Sequence, residues 1–132
     1  MRYTDNFVED VKIAYIGGGS RGWAWGLMSD LAMDREICGE VRLYDIDRLA
    51  AERNRLIGSR MSAHPDTVSP WRYTVAETLE DALTGADFVV ISILPGTLDD
   101  MAADVHLPER YGVFQSVGDT VGPGGVLRAM RT

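Results

Sequence analysis

Three glycines at Gly17, Gly19 and Gly22 constrain this chain more than any other feature. They fall on the G-x-G-x-x-G spacing inside Val11-Lys-Ile-Ala-Tyr-Ile-Gly-Gly-Gly-Ser-Arg-Gly22. An apolar, β-branched run (Val11, Ile13, Ile16) stops at Gly17, and a helical pattern starts about four residues later. A strand that turns abruptly into a helix needs a first glycine for the tight turn. A second lets the backbone approach a pyrophosphate, and a third lets helix and strand pack closely. An anion there would meet free N–H groups at the positive end of the helix dipole. The same glycines also suit a plain strand-to-helix turn.

A second strand, Val41-Arg-Leu-Tyr-Asp45, ends in an acid about twenty residues beyond the loop. A carboxylate at that place accepts from the hydroxyls of an adenosine ribose. A surface aspartate closing a strand is the plainer alternative, and the order strand, glycines, helix, strand, acid argues against it.

The surrounding pattern is that of an α/β fold, a doubly wound parallel sheet of the Rossmann type. Ala24, Leu27, Met28 and Leu31 recur at helical spacing, and Cys38-Gly39 is expected to end that region with Gly39 in a left-handed turn. Trp23 and Trp25 fall just after the loop, and packing against the sheet accounts for them more simply than a ligand does. Asp47 is the expected N-cap of a helix from Arg48 to about Met61, with Leu49, Leu56 and Ile57 inward and its arginines solvated. Trp71–Thr74 reads as a third strand, and Thr74-x-x-Glu77 as a capping box opening a helix through Leu83, closed by Gly85. Asp87–Ile93 is the most continuous apolar run, which predicts a strand beside the first, buried on both faces. It ends at Leu94-Pro95-Gly96, at the carboxyl edge where open α/β sheets bind ligands. Gly112–Val117 is a fifth candidate strand, and residues 1–10 a polar lead-in.

At 132 residues the chain is expected to be one domain. A net charge of −7 argues against nucleic acid and anionic membrane as partners, which need a basic face. The amino terminus does not read as a signal peptide, no apolar run approaches a membrane span, and Cys38 is the sole cysteine; together these predict a cytoplasmic protein. Cys38 reads as a small hydrophobe, and His64 and His106 as surface residues.

A second glycine-rich turn, Gly118-Asp-Thr-Val-Gly-Pro-Gly-Gly125, runs into Leu127-Arg-Ala-Met-Arg-Thr132. With Lys12-Ile-Ala-Tyr-Ile-Gly-Gly-Gly-Ser20 and Tyr44-Asp-Ile-Asp47, it makes nearly the whole chain resemble the N-terminal part of a glycoside hydrolase family 4 enzyme. That resemblance implies a glycosidase that uses NAD and a divalent metal, usually manganese, and works by oxidation, elimination, addition and reduction. It implies α-glucosides or α-galacturonides as small-molecule substrates, and a homo-oligomer at full length. Gly17, Gly18, Gly19, Ser20, Arg21 and Gly22 match the cofactor loop, Asp45 the ribose acid, and Pro95 the cofactor edge. Asp119 matches an acidic position, often Glu in the phosphoglycosidases, where cofactor and substrate meet. The family's metal ligands and tyrosine base belong to later sequence, so the chain by itself is expected to be inactive. The alternatives are an NAD-dependent 2-hydroxy acid dehydrogenase, which lacks its expected arginine loop apart from Arg110, and a non-enzymatic dinucleotide sensor.

Overall fold

In the computed structural model, which describes residues 1–115 and 122–131, the chain divides into two compact units, Met1–Ile93 and Leu94–Thr132. The first is an α/β unit. Its strands are β1 (Arg2–Thr4), β2 (Phe7–Ile16), β3 (Ile37–Tyr44), β4 (Arg72–Val75) and β5 (Phe88–Ile91). Its helices are α1 (Gly22–Met33), α2 (Arg48–Ser62) and α3 (Leu79–Leu83). The parallel strands run β4-β3-β2-β5, the 3-2-1-4 order that begins a doubly wound dinucleotide-binding sheet. β1 is antiparallel to the start of β2, with Arg2 opposite Glu9, on the side that β5 takes farther along. The first residues are therefore a hairpin arm, not only a polar lead-in.

Helices cover both faces, and strand alternation shows how. Val41 and its register partner Tyr73 point toward α2, where Gly58 lies against the Tyr73 ring. Arg42 points the other way and donates to the Thr84 carbonyl at 2.7 Å, just past α3. The step from β4 back across the sheet to β5 puts α3 on the opposite face, because such crossovers are right-handed. The core is Val11, Ile13 and Tyr15 of β2 with Val41 and Leu43 of β3, Tyr73 of β4, and Ala24, Met28 and Leu31 of α1.

Several local expectations change. Cys38-Gly39 does not end a helix; both residues lie inside β3, and α1 stops at Met33. Gly39 is needed for closeness, since a Cβ there would lie 1.9 Å from the Val11 carbonyl oxygen, where β2 bulges against β3. α2 starts as expected, with Asp47 accepting from the Ala50 N–H. Its inward face is Ala51, Asn54 and Gly58, whereas Leu49 and Leu56 are exposed and Ile57 is half-buried. At Gly58 a side chain is ruled out, since a Cβ there would lie 2.7 Å from the Tyr73 ring. The capping box falls four residues later than read: Thr78 caps α3 and Asp81 reciprocates. Glu77 pairs instead with Arg48. β5 pairs with β2 as expected but is not buried on both faces: Phe88 is 54% and Ile91 69% exposed. Among the described residues no strand pairs with its other edge.

The second unit holds α4 (Leu98–His106), a 3-10 turn (Pro108–Tyr111) and α5 (Pro123–Ala129). Thr97 and Asp100 form a capping box at the start of α4. Asp104, 3% exposed on α4, accepts from Arg131 at 2.6 Å and lies 3.5 Å from Arg128. Those guanidinium bonds hold its carboxyl below the ordinary range. Residues 112–115 form no strand, and Gly112 closes the 3-10 turn with φ 75°; the rest of that predicted strand lies outside the described residues. No helix among the described residues is long and apolar enough to cross a membrane.

Candidate functional site

The end of β2 and the end of β3 are in register, Ile16 opposite Tyr44, so the glycine loop and Asp45 leave the sheet side by side. The Tyr44 carbonyl accepts from both the Gly17 and the Gly18 N–H at 2.9 Å, which folds the loop down onto β3. Ser20 N–H closes the turn on the Gly17 carbonyl at 3.0 Å. Asp45 accepts from Gly19 N–H through Oδ2 at 2.8 Å and from Asp47 N–H through Oδ1 at 2.8 Å.

Glycine is required at three consecutive positions here. Gly17 has φ 91°, and a Cβ on it would lie 1.9 Å from the Ser92 carbonyl oxygen. A Cβ on Gly18 would press on Leu43 at 2.7 Å, and one on Gly19 on Ala50 at 2.7 Å. The expectation for Gly22 is not met. It opens α1, but a Cβ there would touch nothing within 4 Å, so helix and strand do not close on it. Gly18, which the spacing rule skips, is the glycine that lies against a strand residue.

α1 begins without a side-chain cap and without an acid in its first turn, while α2, α3 and α4 each carry a capping side chain. Arg21 and Gly22 at its start are exposed, and Ser20 is half-buried. An uncapped helix start beneath a glycine loop presents N–H groups and a positive dipole end to an anion. Asp45, with two of its roughly four acceptor positions used, keeps capacity for hydroxyl donors.

Trp23 is 76% exposed, so it does not pack the helix onto the sheet. Trp25 is 40% exposed and donates through Nε1 to Asn54 Oδ1 at 2.7 Å. Asn54, 3% exposed on α2, also donates to the carbonyls of Gly18 and Ser20. No sequence signal marked it. An asparagine in the middle of a helix, where its propensity is poor, was the available hint. Pro95 opens the second unit, half-buried, four residues past the end of β5. Asp119 lies outside the described residues.

Other candidates for chemistry are inert or dispersed. Burial pushes the Cys38 thiol up, away from thiolate reactivity, and pushes Tyr73 up to about 12, far from a working base. His64 pairs with Asp66 and His106 with Glu109 on the surface. Among the described residues no group of three or more His, Cys, Asp or Glu is placed to share a metal ion.

The chain is 63% identical over 132 residues to the alpha-galacturonidase of Lachnoclostridium phytofermentans, covering 100% of this chain and 28% of that protein. Its fold is similar to that of the Bacillus subtilis protein lplD, with TM-score 0.75 and 58% identity over 93% of this chain and 27% of that one. It is also similar to the Thermotoga maritima 6-phospho-beta glucosidase solved with manganese, NAD+ and glucose-6-phosphate, at TM-score 0.66 and 28% identity over 92% of this chain and 28% of the other. The chain thus spans about 28% of the length of curated relatives it matches. The match to the family 4 glycosyl hydrolases runs through residues 12–132, from the middle of β2 across the glycine loop and Asp45 to the second glycine-rich turn, and the chain belongs to that family.

Proposed function

We propose that residues 1–132 form the NAD-binding domain of a glycosidase that hydrolyses α-galacturonides, with a catalytic domain in later sequence. The observation that carries this is the loop. Gly17, Gly18 and Gly19 each lie where a Cβ would collide, directly beside Asp45 and in front of an uncapped helix start. That combination suits a pyrophosphate with an adjacent ribose.

In this reading the Arg21 and Gly22 N–H groups hold the pyrophosphate, with Ser20 and the loop backbone shaping its seat. Asp45 accepts from the adenosine ribose hydroxyls. Pro95, four residues past the end of β5, is assigned to the cofactor by the resemblance alone. Bound NAD supplies reversible hydride acceptance, which acidifies a neighbouring sugar carbon and lets the glycosidic bond break by elimination. Asp119 belongs where cofactor and sugar meet. A divalent metal, manganese by resemblance, is assigned to ligands in later sequence. The galacturonide assignment follows the relative at 63% identity. A cytoplasmic homo-oligomer is part of the same proposal.

NAD is favoured over NADP by charge. A 2′-phosphate would face Asp45 and Asp47, while the nearby cation, Arg48, is already engaged by Glu77. Calorimetric titration of both dinucleotides into the full-length protein tests the site, and NAD is expected to bind at least tenfold tighter. Assay of the same protein with NAD and manganese on aryl α-galacturonides and α-glucosides tests the substrate. Equal or tighter NADP binding overturns the cofactor assignment. Preference for the glucoside overturns the galacturonide assignment and leaves the cofactor site standing.

A further inference from the structure

The shape of the loop depends on one buried carboxamide. Asn54 donates both Nδ2 hydrogens, to the Gly18 carbonyl at 2.7 Å and the Ser20 carbonyl at 2.8 Å. Its Oδ1 accepts from Trp25 Nε1 at 2.7 Å. The indole can only donate, so the atom facing it must be the oxygen, and Trp25 thereby fixes which way the amide points. Reversed, the amide would set its NH₂ against an N–H and its oxygen against two carbonyls.

This orientation propagates through planar trans peptides, whose C=O and N–H point in opposite directions. With the Gly18 carbonyl drawn toward Asn54, the Gly19 N–H faces the other side, where Asp45 receives it at 2.8 Å. With the Ser20 carbonyl drawn in, the Arg21 N–H turns away from Asn54 and joins the uncapped first turn of α1. One side chain thus selects the face on which the loop shows donors. A flipped 20–21 peptide would show a carbonyl there and repel an anion.

We propose that Asn54, locked by Trp25, is the positioning residue that presents the Arg21 and α1 N–H groups to the dinucleotide pyrophosphate. This rests on the reading of the loop as a pyrophosphate seat. Asn54 need not touch the ligand; it acts through the loop peptides.

The test uses the full-length protein, with NAD affinity by calorimetry, thermal midpoints, and indole N–H resonances. Asn54→Asp keeps the size but points an acceptor at two carbonyls, so NAD affinity should fall at least tenfold. Trp25→Phe removes the lock at a partly exposed position and should cost about threefold with the thermal midpoint unchanged. In wild type, the Trp25 indole N–H resonance should shift on adding NAD. That of Trp71, bonded to the Leu31 carbonyl at 3.1 Å, should stay. If wild type does not bind NAD, the pyrophosphate reading itself falls. If wild type binds but Trp25→Phe and a folded Asn54→Asp bind NAD within experimental error of it, the positioning role is overturned. Should Asn54→Asp fail to fold, Trp25→Phe and the indole shift decide. Unchanged affinity with an unmoved Trp25 resonance refutes the proposal.

Discussion

β2 and β5 are neighbours in register, Ile13 beside Phe88 through Ile16 beside Ile91, and both read as apolar runs. Their surroundings are opposite. Ile13, Ala14 and Tyr15 are 6%, 0% and 2% exposed, whereas Phe88, Val89 and Ile91 are 54%, 49% and 69% exposed. β2 has β3 on one side and β1 and β5 on the other, with α1 residues and α3 against it. β5 has β2 on one side, and among the described residues its other edge is unpaired. An apolar run therefore reports the cover a strand requires. It does not report whether that cover lies in the same compact unit.

The sharpest way to break this contrast is at the loop after β2, where Gly17 meets the residue that follows β5. Gly17→Ala sets a Cβ 1.9 Å from the Ser92 carbonyl oxygen and holds a non-glycine residue at φ 91°. The conformation alone costs about 1–2 kcal/mol, and the collision adds to it, so total destabilisation should exceed roughly 2 kcal/mol. Urea denaturation measures it. A neutral result would mean that β2 and β5 do not meet as described.

Next in size is a matched pair of truncations. Ile13→Ala should cost about 2–5 kcal/mol, as for other buried aliphatic side chains. Ile91→Ala, at an exposed position, should stay within about 0.5 kcal/mol in this chain. Equal costs would end the comparison. A rise at Ile91 alone in the full-length protein would sharpen it, by showing that later sequence covers β5.

The smallest effect is expected at Gly22. Gly22→Ala meets open space at the start of α1, so stability should change by less than about 1 kcal/mol, toward stabilisation. Loss of NAD affinity without loss of stability would show that the ligand approaches Gly22 more closely than the protein does.

Local rules carried part of the structure, and the residues show which part. A strand that must turn at once into a helix needs glycine at Gly17, whatever surrounds it. An acid ending the adjacent parallel strand must then emerge beside that turn. The loop, Asp45 and the Asp47 cap were legible because each depends on backbone geometry within a few residues, or on the register of one strand pair. The capping box was legible in kind but misplaced: Thr74-x-x-Glu77 and Thr78-x-x-Asp81 have equivalent spacing. The sheet decided between them by keeping Thr74 inside β4 and Glu77 against Arg48.

The rest was settled in three dimensions. Leu49 and Leu56 have inward-looking spacing, yet Ala51, Asn54 and Gly58 face inward, and Gly58 lies so close to Tyr73 that no side chain fits there. Gly39 resembles a helix stop in one dimension and is a contact between strands in three. Asn54 bonds to carbonyls far from it in sequence, so its mid-helix position could hint at a role but not name its partners. Periodicity and turn chemistry are short-range and can be read along the chain. Steric room and the partners of a buried amide exist only once distant segments have packed.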